Sequence, residues 1–138
     1  MDRNGKDVAV LISVEDLELL ELLEDRMDIE AARRALEKEE FLDWEEFKKE
    51  SGAGLRYTIK ISRGAAKEFK KLEKSVQKRV QDAIDALGED PRPPGVKKLK
   101  GSDELWRVRV GTYRVIYSVV EDEILVLVLR IRHRKDAY

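Results

Sequence analysis

The stretch "RIRHRKDAY" gathers four cations, the chain's single histidine (His133) and Tyr138 directly after the apolar run "ILVLVL". Further cations stand upstream at alternating positions: Arg107 and Arg109 in "LWRVRV", Arg114 in "TYRVIYSV", with Lys97, Lys98 and Lys100 in "VKKLKG" just before them. In a strand, residues two apart share a face, so Arg107 and Arg109 lie opposite Trp106, Val108 and Val110, and Arg114 lies opposite Tyr113, Val115 and Tyr117. Cations brought to one sheet face suit phosphate binding. Cleaving RNA by attack of its own 2′-OH asks for more, because a phosphorane must be stabilised and protons moved. Arginine and lysine serve the first need; His133, Tyr138 or a lysine of shifted pKa could serve the second. A histidine pair is impossible with one histidine, and the strands of the basic half carry no carboxylate cluster of the kind a two-metal nuclease needs. No metal and no cofactor is expected.

Positive charge is surprising in a chain of net charge −1. The charge is unevenly placed: residues 1–54 hold 8 Lys/Arg against 17 Asp/Glu, and residues 55–138 hold 20 against 12. An acidic piece precedes a basic one, and a basic domain commonly meets nucleic acid through phosphates. Length places the chain at one domain or two small packed units. The absence of cysteine removes disulfides, thiol nucleophiles and thiolate metal sites. No run approaches the length of a membrane span and no leader pattern is visible, so a cytoplasmic protein without a membrane partner is expected.

These cations need a scaffold. "ESGAGL" contains a small, Gly-rich stretch, Ser51 to Gly54, that reads as a linker. Before it, "VAVLIS" reads as a short strand, with Ser13 capping a leucine-rich helix from about Val14 to Arg26. Asp28 reads as the cap of a second helix with Ile29, Ala32, Ala35 and Leu36 on one stripe, and Asp43 as the cap of a last turn carrying Trp44 and Phe47. Such amphipathic pieces are too short to bury their own apolar faces. After the linker, alternation of Tyr57, Ile59 and Ile61 marks a strand. Two helices capped by Ser62 and Ser75 follow, the second ending at Gly88 before "EDPRPPG". Strands at about 105–110, 113–120 and 124–131 complete a β-α-α-β-β-β order. The fold class is α+β: an antiparallel sheet with two helices on one face, preceded by a short strand and amphipathic helices that wrap it.

Residues 56–138 resemble the RelE toxins of toxin–antitoxin systems. The resemblance rests on "KKLKG", "WRVRVGTYRVIY" and "HRKDAY", which are similar to the family's K-L-x-G, W-R-x-R-x-G-x-Y-R-x-x-Y and H-R-x-x-x-Y signals in the family's order. It implies a ribosome-dependent endoribonuclease that cuts mRNA with the RNA's 2′-OH as nucleophile. Carried over by motif, Lys98, Lys100, Arg109, Arg114, Arg134 and Tyr138 would be catalytic: Lys98, Lys100, Arg109 and Arg114 on the phosphates, Arg134 on the transition state, Tyr138 orienting the substrate. Lys97, Arg107, Arg132 and His133 would bind RNA, and whether Arg107 or Arg109 is the catalytic one stays open. Arg132 stands where relatives commonly have glycine, a departure that leaves room for an RNA-binding or regulatory module that has lost catalysis.

The acidic half, "RNGKDVAVLIS" followed by an acidic, leucine-rich stretch, resembles the distal part of Phd/YefM-type antitoxins, without the preceding operator-binding portion and with Asp7 in place of the usual proline. The resemblance implies a toxin–antitoxin fusion protein: residues 1–50 a neutralising segment, 51–54 a linker, 55–138 the toxin domain. Leu36, Phe41, Leu42, Trp44 and Phe47 would touch the toxin domain. Neutralisation would be in cis or, if the linker is too short, by exchange of segments in a dimer. The partners implied are mRNA on the ribosome and the chain's own segment, and no operator DNA.

Overall fold

The computed structural model describes residues 13–49 and 56–133. The "VAVLI" part of the expected first strand, the 51–54 linker, Arg134 and Tyr138 lie outside the described residues. The described elements are α1 (Val14–Lys38), β1 (Phe41–Asp43), α2 (Trp44–Lys48), β2 (Thr58–Ser62), α3 (Arg63–Lys70), α4 (Lys74–Glu89), β3 (Lys97–Lys98), β4 (Leu105–Val110), β5 (Tyr113–Val120) and β6 (Leu125–His133). The strands form one six-stranded sheet in the order β1-β2-β6-β5-β4-β3. Among the described residues no helix is long and apolar enough to cross a membrane.

Helix α1 runs unbroken where two helices were expected. Ser13 does cap it, its hydroxyl accepting the Asp16 N–H at 3.0 Å. From Val14 to Lys38 there is no glycine or proline and the composition is rich in Leu, Ala and Glu, so nothing stops the helix at Arg26. Asp28 is therefore a mid-helix residue, and its carboxylate turns inward instead of capping. Asp43 does cap α2, accepting the Glu46 N–H at 3.1 Å. Ser62 caps α3 through the Ala65 N–H and donates its own proton to the Leu129 carbonyl. Ser75 caps nothing: α4 begins at Lys74, with Glu73 at the cap position.

The sheet departs from the expected antiparallel order at one place, because β2 pairs parallel to β6. The α3–α4 hairpin brings the chain back antiparallel to β2. Three further reversals then leave β6 running the same way as β2 beside it. The two-residue β4–β5 hairpin turns on Gly111, whose φ of 61° is one a side chain disfavours. Two strands were unforeseen. Lys97–Lys98 pairs with Arg107 and Trp106 at one edge, and Phe41–Asp43 pairs with Ser62 to Lys60 at the other.

Strand β1 explains how the acidic half sits. The chain lies on one face of the sheet as α1, crosses the β2 edge as β1 and reaches the opposite face as α2. Two cores result. Ile59, Ile61, Phe69, Val80, Ile84, Leu87, Val115, Tyr117, Val126 and Val128 pack under α3 and α4, joined by Trp44 with Leu42 and Phe47 beside it. On the other face Ile29, Ala32 and Ala35 of α1 meet Leu99, Leu105, Ile116 and Leu129, with Leu36 and Phe41 packed alongside. Of the residues singled out in the sequence, Leu36 and Phe41 pack at the core under α1, and Leu42, Trp44 and Phe47 at the core under α3 and α4.

Trp44 is the deepest of these contacts. It is fully buried, its ring meets Phe69 edge-on at 5.5 Å and Phe47 at 5.8 Å, and its Nε1 donates to Asp85 Oδ1 at 2.7 Å. Lys48 reaches the same oxygen at 2.7 Å. At the edge, Glu39 Oε1 accepts the Gly64 N–H at 2.6 Å, and a Cβ at Gly64 would stand 2.6 Å from that oxygen. Trp44→Ala should cost about 3–5 kcal/mol. Trp44→Phe, which keeps most of the volume and loses the bond to Asp85, should cost about 1–2 kcal/mol. Denaturant unfolding measures both, and hydrogen exchange should place the loss first in residues 41–48. Equal small effects would mean that the tryptophan is not the anchor.

Candidate functional site

Strand alternation assembles the site on the face under α1. Arg109 of β4 stands directly opposite Arg114 of β5, and Arg114 directly opposite Arg132 of β6. Arg107 lies two residues from Arg109 on the same face, with Lys97 of β3 across from it. Like charges facing each other across strands destabilise a sheet unless an anion intervenes. Arg107 and Arg114 are moreover buried, which excludes water as the remedy.

The anions come from a turn and a half of α1. Glu24, Asp25 and Asp28 are at the i, i+1 and i+4 positions that share a helix face, and all three are buried. Asp28 takes Arg114 as a two-pronged pair, Oδ2 accepting from Nε at 2.6 Å and Oδ1 from Nη2 at 2.8 Å. The third arm of Arg114 donates to the His133 carbonyl at 2.9 Å, which fixes the guanidinium plane. Glu24 Oε1 accepts from Arg109 at 2.9 Å and from Arg107 at 3.3 Å. Asp25 takes Arg107 at 3.0 Å on one oxygen and the Lys100 backbone N–H at 3.0 Å on the other. Arg132 Nε stands 3.6 Å from Asp28, an ion pair without a hydrogen bond.

Burial pushes the Asp28 carboxyl up from its ordinary value, the hydrogen bond and charge of Arg114 pull it down, and the neighbouring Glu24 adds to the rise. Burying an ion pair costs desolvation that offsets much of the attraction between its members, so the pair sets the position of α1 as well as holding it.

Not every residue expected here is brought to this face. Lys98 is directly opposite Trp106, and its ammonium lies over that ring at 6.0 Å and 3.8 Å from Asp103, on the side away from the arginine row. His133 pairs with Tyr113 across β5 and meets it edge-on at 4.7 Å, its Nε2 being 3.2 Å from Thr112 Oγ1. Its ring thus faces away from Arg132 and Arg114, and only its carbonyl serves the site. Lys100 touches the site through its backbone, and its side chain is exposed. Arg107 is buried, whereas Arg109 keeps 44% of its side chain exposed.

The sequence reading overlooked the three carboxylates. Their signal was present as acids at helical spacing within a leucine-rich run, but Asp28 was read as a cap. It also overlooked Arg130, which bridges Glu39 of the acidic half at 3.4 Å and Glu68 of α3 at 2.9 Å.

Residues 59–138 match the family of the ParE toxin of type II toxin–antitoxin systems, parDE. A putative toxin RelE1 of Methanocaldococcus jannaschii is 34% identical over 87 residues, covering 61% of this chain and 97% of the relative. A putative RelE-like toxin protein of Escherichia coli is 27% identical over 88 residues, covering 61% and 92%. Among solved structures, the archaeal RelE–RelB complex from Pyrococcus horikoshii superposes with a TM-score of 0.53 at 33% identity, over 58% of this chain and 97% of that one. The chain belongs to the RelE/ParE family of toxins of type II toxin–antitoxin systems, through residues 59–138. Helix α1, β1 and α2 precede the matched residues.

Asp28→Ala, which strands the buried Arg114, should destabilise the protein by about 3–5 kcal/mol. Replacing both partners at once, Asp28→Leu with Arg114→Met, should be close to neutral. Urea unfolding of the two variants checks this, and a double variant as unstable as the single one would show that packing, not charge, governs the position.

Proposed function

We propose that this protein is a RelE-type endoribonuclease toxin fused to its own inhibitor, the acidic segment before residue 51 acting as an antitoxin of the Phd/YefM kind. The observation that carries the reading is the seating of Glu24, Asp25 and Asp28 on the arginine row. A carboxylate and a phosphodiester present the same pair of oxygens to a guanidinium. Asp28 thus takes from Arg114 the two hydrogen bonds an RNA phosphate would take. While α1 is in place, the face is closed to RNA.

With α1 displaced, Arg107, Arg109, Arg114 and Arg132 would hold the mRNA backbone on the ribosome, with Lys97 and Lys100 at the margin. Arg114, oriented by the His133 carbonyl, would neutralise the charge that develops as the 2′-OH attacks phosphorus. Arg134 and Tyr138 complete the proposed machinery by motif, as transition-state cation and substrate-orienting ring. The work of Lys98 would be confined to the outer surface. Relatives described as RelE–RelB complexes support an antitoxin partner, here supplied by the same chain in cis or by exchange between two chains. The protein would act in the cytoplasm and would not bind operator DNA, because its acidic half repels phosphate.

The alternative, a RelE-fold module without catalysis, is favoured by Arg132 at the family's usual glycine. Two preparations separate the readings: the intact chain, and the chain carrying Glu24→Gln, Asp25→Asn and Asp28→Asn. The intact chain should leave mRNA on translating ribosomes uncut, and the triple variant should cleave it. Adding Arg114→Ala to the triple variant should lower cleavage about a hundredfold. Absence of cleavage by both the triple variant and a chain lacking residues 1–54 would establish the inactive module.

A further inference from the structure

Arg130 belongs to none of the sequence motifs, and the arginine row does not use it. It lies two residues from Arg132 on β6, opposite Ile116 where Arg132 is opposite Arg114, so the two share a face about 7 Å apart. Strand β2 ends at Ser62, while β6 runs parallel beside it as far as His133. Arg130 therefore stands just past the carboxyl end of β2, where α3 begins. Parallel strands leave a ligand crevice at that end.

A carboxylate already occupies this crevice. Glu39 Oε1 accepts the Gly64 N–H from the first turn of α3 at 2.6 Å, and Glu39 Oε2 accepts from Arg130 Nη1 at 3.4 Å. Glu68 of α3 holds the other arm of Arg130, Nη2, at 2.9 Å. A Cβ at Gly64 would stand 2.6 Å from Glu39 Oε1 and 2.7 Å from Arg130 Nη1, so the missing side chain is what admits anion and cation together. A helix N–H and a guanidinium converging on one point suit the oxygens of a phosphate as well as those of a carboxylate.

The cations here are incompletely bonded. Nε of Arg130 and Nε of Arg132 are buried without a hydrogen-bond partner among the described residues. Both arginines line one pocket of about 290 Å³, and its other walls come from the acidic half. Of the charged wall residues, Glu30 and Arg34 pair with each other at 2.8 Å, which leaves Glu39 as the anion for β6. Gly64, Arg130 and Arg132 belong to the toxin-family residues, whereas Glu39 would leave with the acidic half.

On the reading of the arginine row as an RNA site, on which this rests, we infer that Gly64, Arg130 and Arg132 form a second phosphate subsite. It takes the RNA phosphate next to the one at Arg114, and Glu39 fills it in the closed chain. Arg132 stands between the two positions, and a step of about 7 Å along β6 is one that a single extended nucleotide can bridge. Glu68 remains to hold the plane of Arg130 while Nη1 exchanges the carboxylate for the phosphate.

The test starts from the chain carrying Glu24→Gln, Asp25→Asn and Asp28→Asn, with a 2′-O-methyl hexanucleotide as the probe. Adding Glu39→Gln, which keeps an acceptor for the Gly64 N–H and removes the charge, should tighten binding about fivefold. Adding Arg130→Gln to that protein should weaken binding about tenfold and make the dependence of log affinity on log salt shallower by about 0.7, the share of one phosphate on a single strand. Arg130→Lys should keep the slope. A 2′-O-methyl dinucleotide, which has one phosphate, should bind with and without Arg130→Gln alike. Circular dichroism confirms that the variants stay folded. An unchanged slope in Arg130→Gln, or an equal loss with the dinucleotide, overturns the subsite and leaves the arginine row as an RNA site. Absence of hexanucleotide binding by the starting variant removes both.

Discussion

Arg109, Arg114 and Arg132 stand in a row across three adjacent strands, and that row constrains the rest of the molecule. A buried guanidinium cannot lose its charge and cannot reach water, so the sheet face is stable only with anions laid along it. This explains why the inward stripe of α1 is acidic at its centre, where a helix covering a sheet is ordinarily apolar. It also explains why apolar contacts of α1 are confined to its second half, around Ile29, Ala32 and Ala35.

Helix α1 is placed by ion pairs at its centre and by apolar packing in its second half, and further attachment comes from elsewhere. The structure separates the two tasks. The α1 face supplies the buried carboxylates that pair with Arg107 and Arg114. Strand β1 supplies ladder hydrogen bonds on the β2 edge, and α2 supplies Trp44, which neither salt nor phosphate addresses. Covering the β2 edge also removes an exposed strand that would otherwise invite pairing with another chain. At the corner between the two faces, Glu39 rests against the Gly64 N–H and Arg130, in a space that only glycine leaves open.

Much of this was legible in the residues. Alternation in "LWRVRV" and "TYRVIYSV" sorted the arginines from the core, because a period of two is imposed by the backbone whatever the neighbours are. Ser13, Ser62 and Asp43 declared three helix starts, since their side chains bond locally. Asp28 and Ser75 show where such reasoning ends. An aspartate inside a helix looks like a cap until the guanidinium that buries it is known, and that guanidinium lies far along the chain. Strands β1 and β3 escaped for a related reason: three and two residues carry no period, and their pairing partners decide their state. The parallel β2–β6 pair follows from counting chain reversals, which local pattern does not reveal. Lys98 and His133 were grouped with the arginines by motif, whereas their strand partners Trp106 and Tyr113 put them on the other side.

The central claim is that the α1 carboxylates and an RNA phosphate contend for the same guanidiniums. The most direct measurement is the affinity of a short 2′-O-methyl RNA, which cannot be cleaved, for the intact chain and for the chain with Glu24→Gln, Asp25→Asn and Asp28→Asn. The account predicts weak binding to the intact protein, and in the variant a gain of at least tenfold whose salt dependence reflects several phosphate contacts. Equal affinity of the two proteins for this RNA would contradict it.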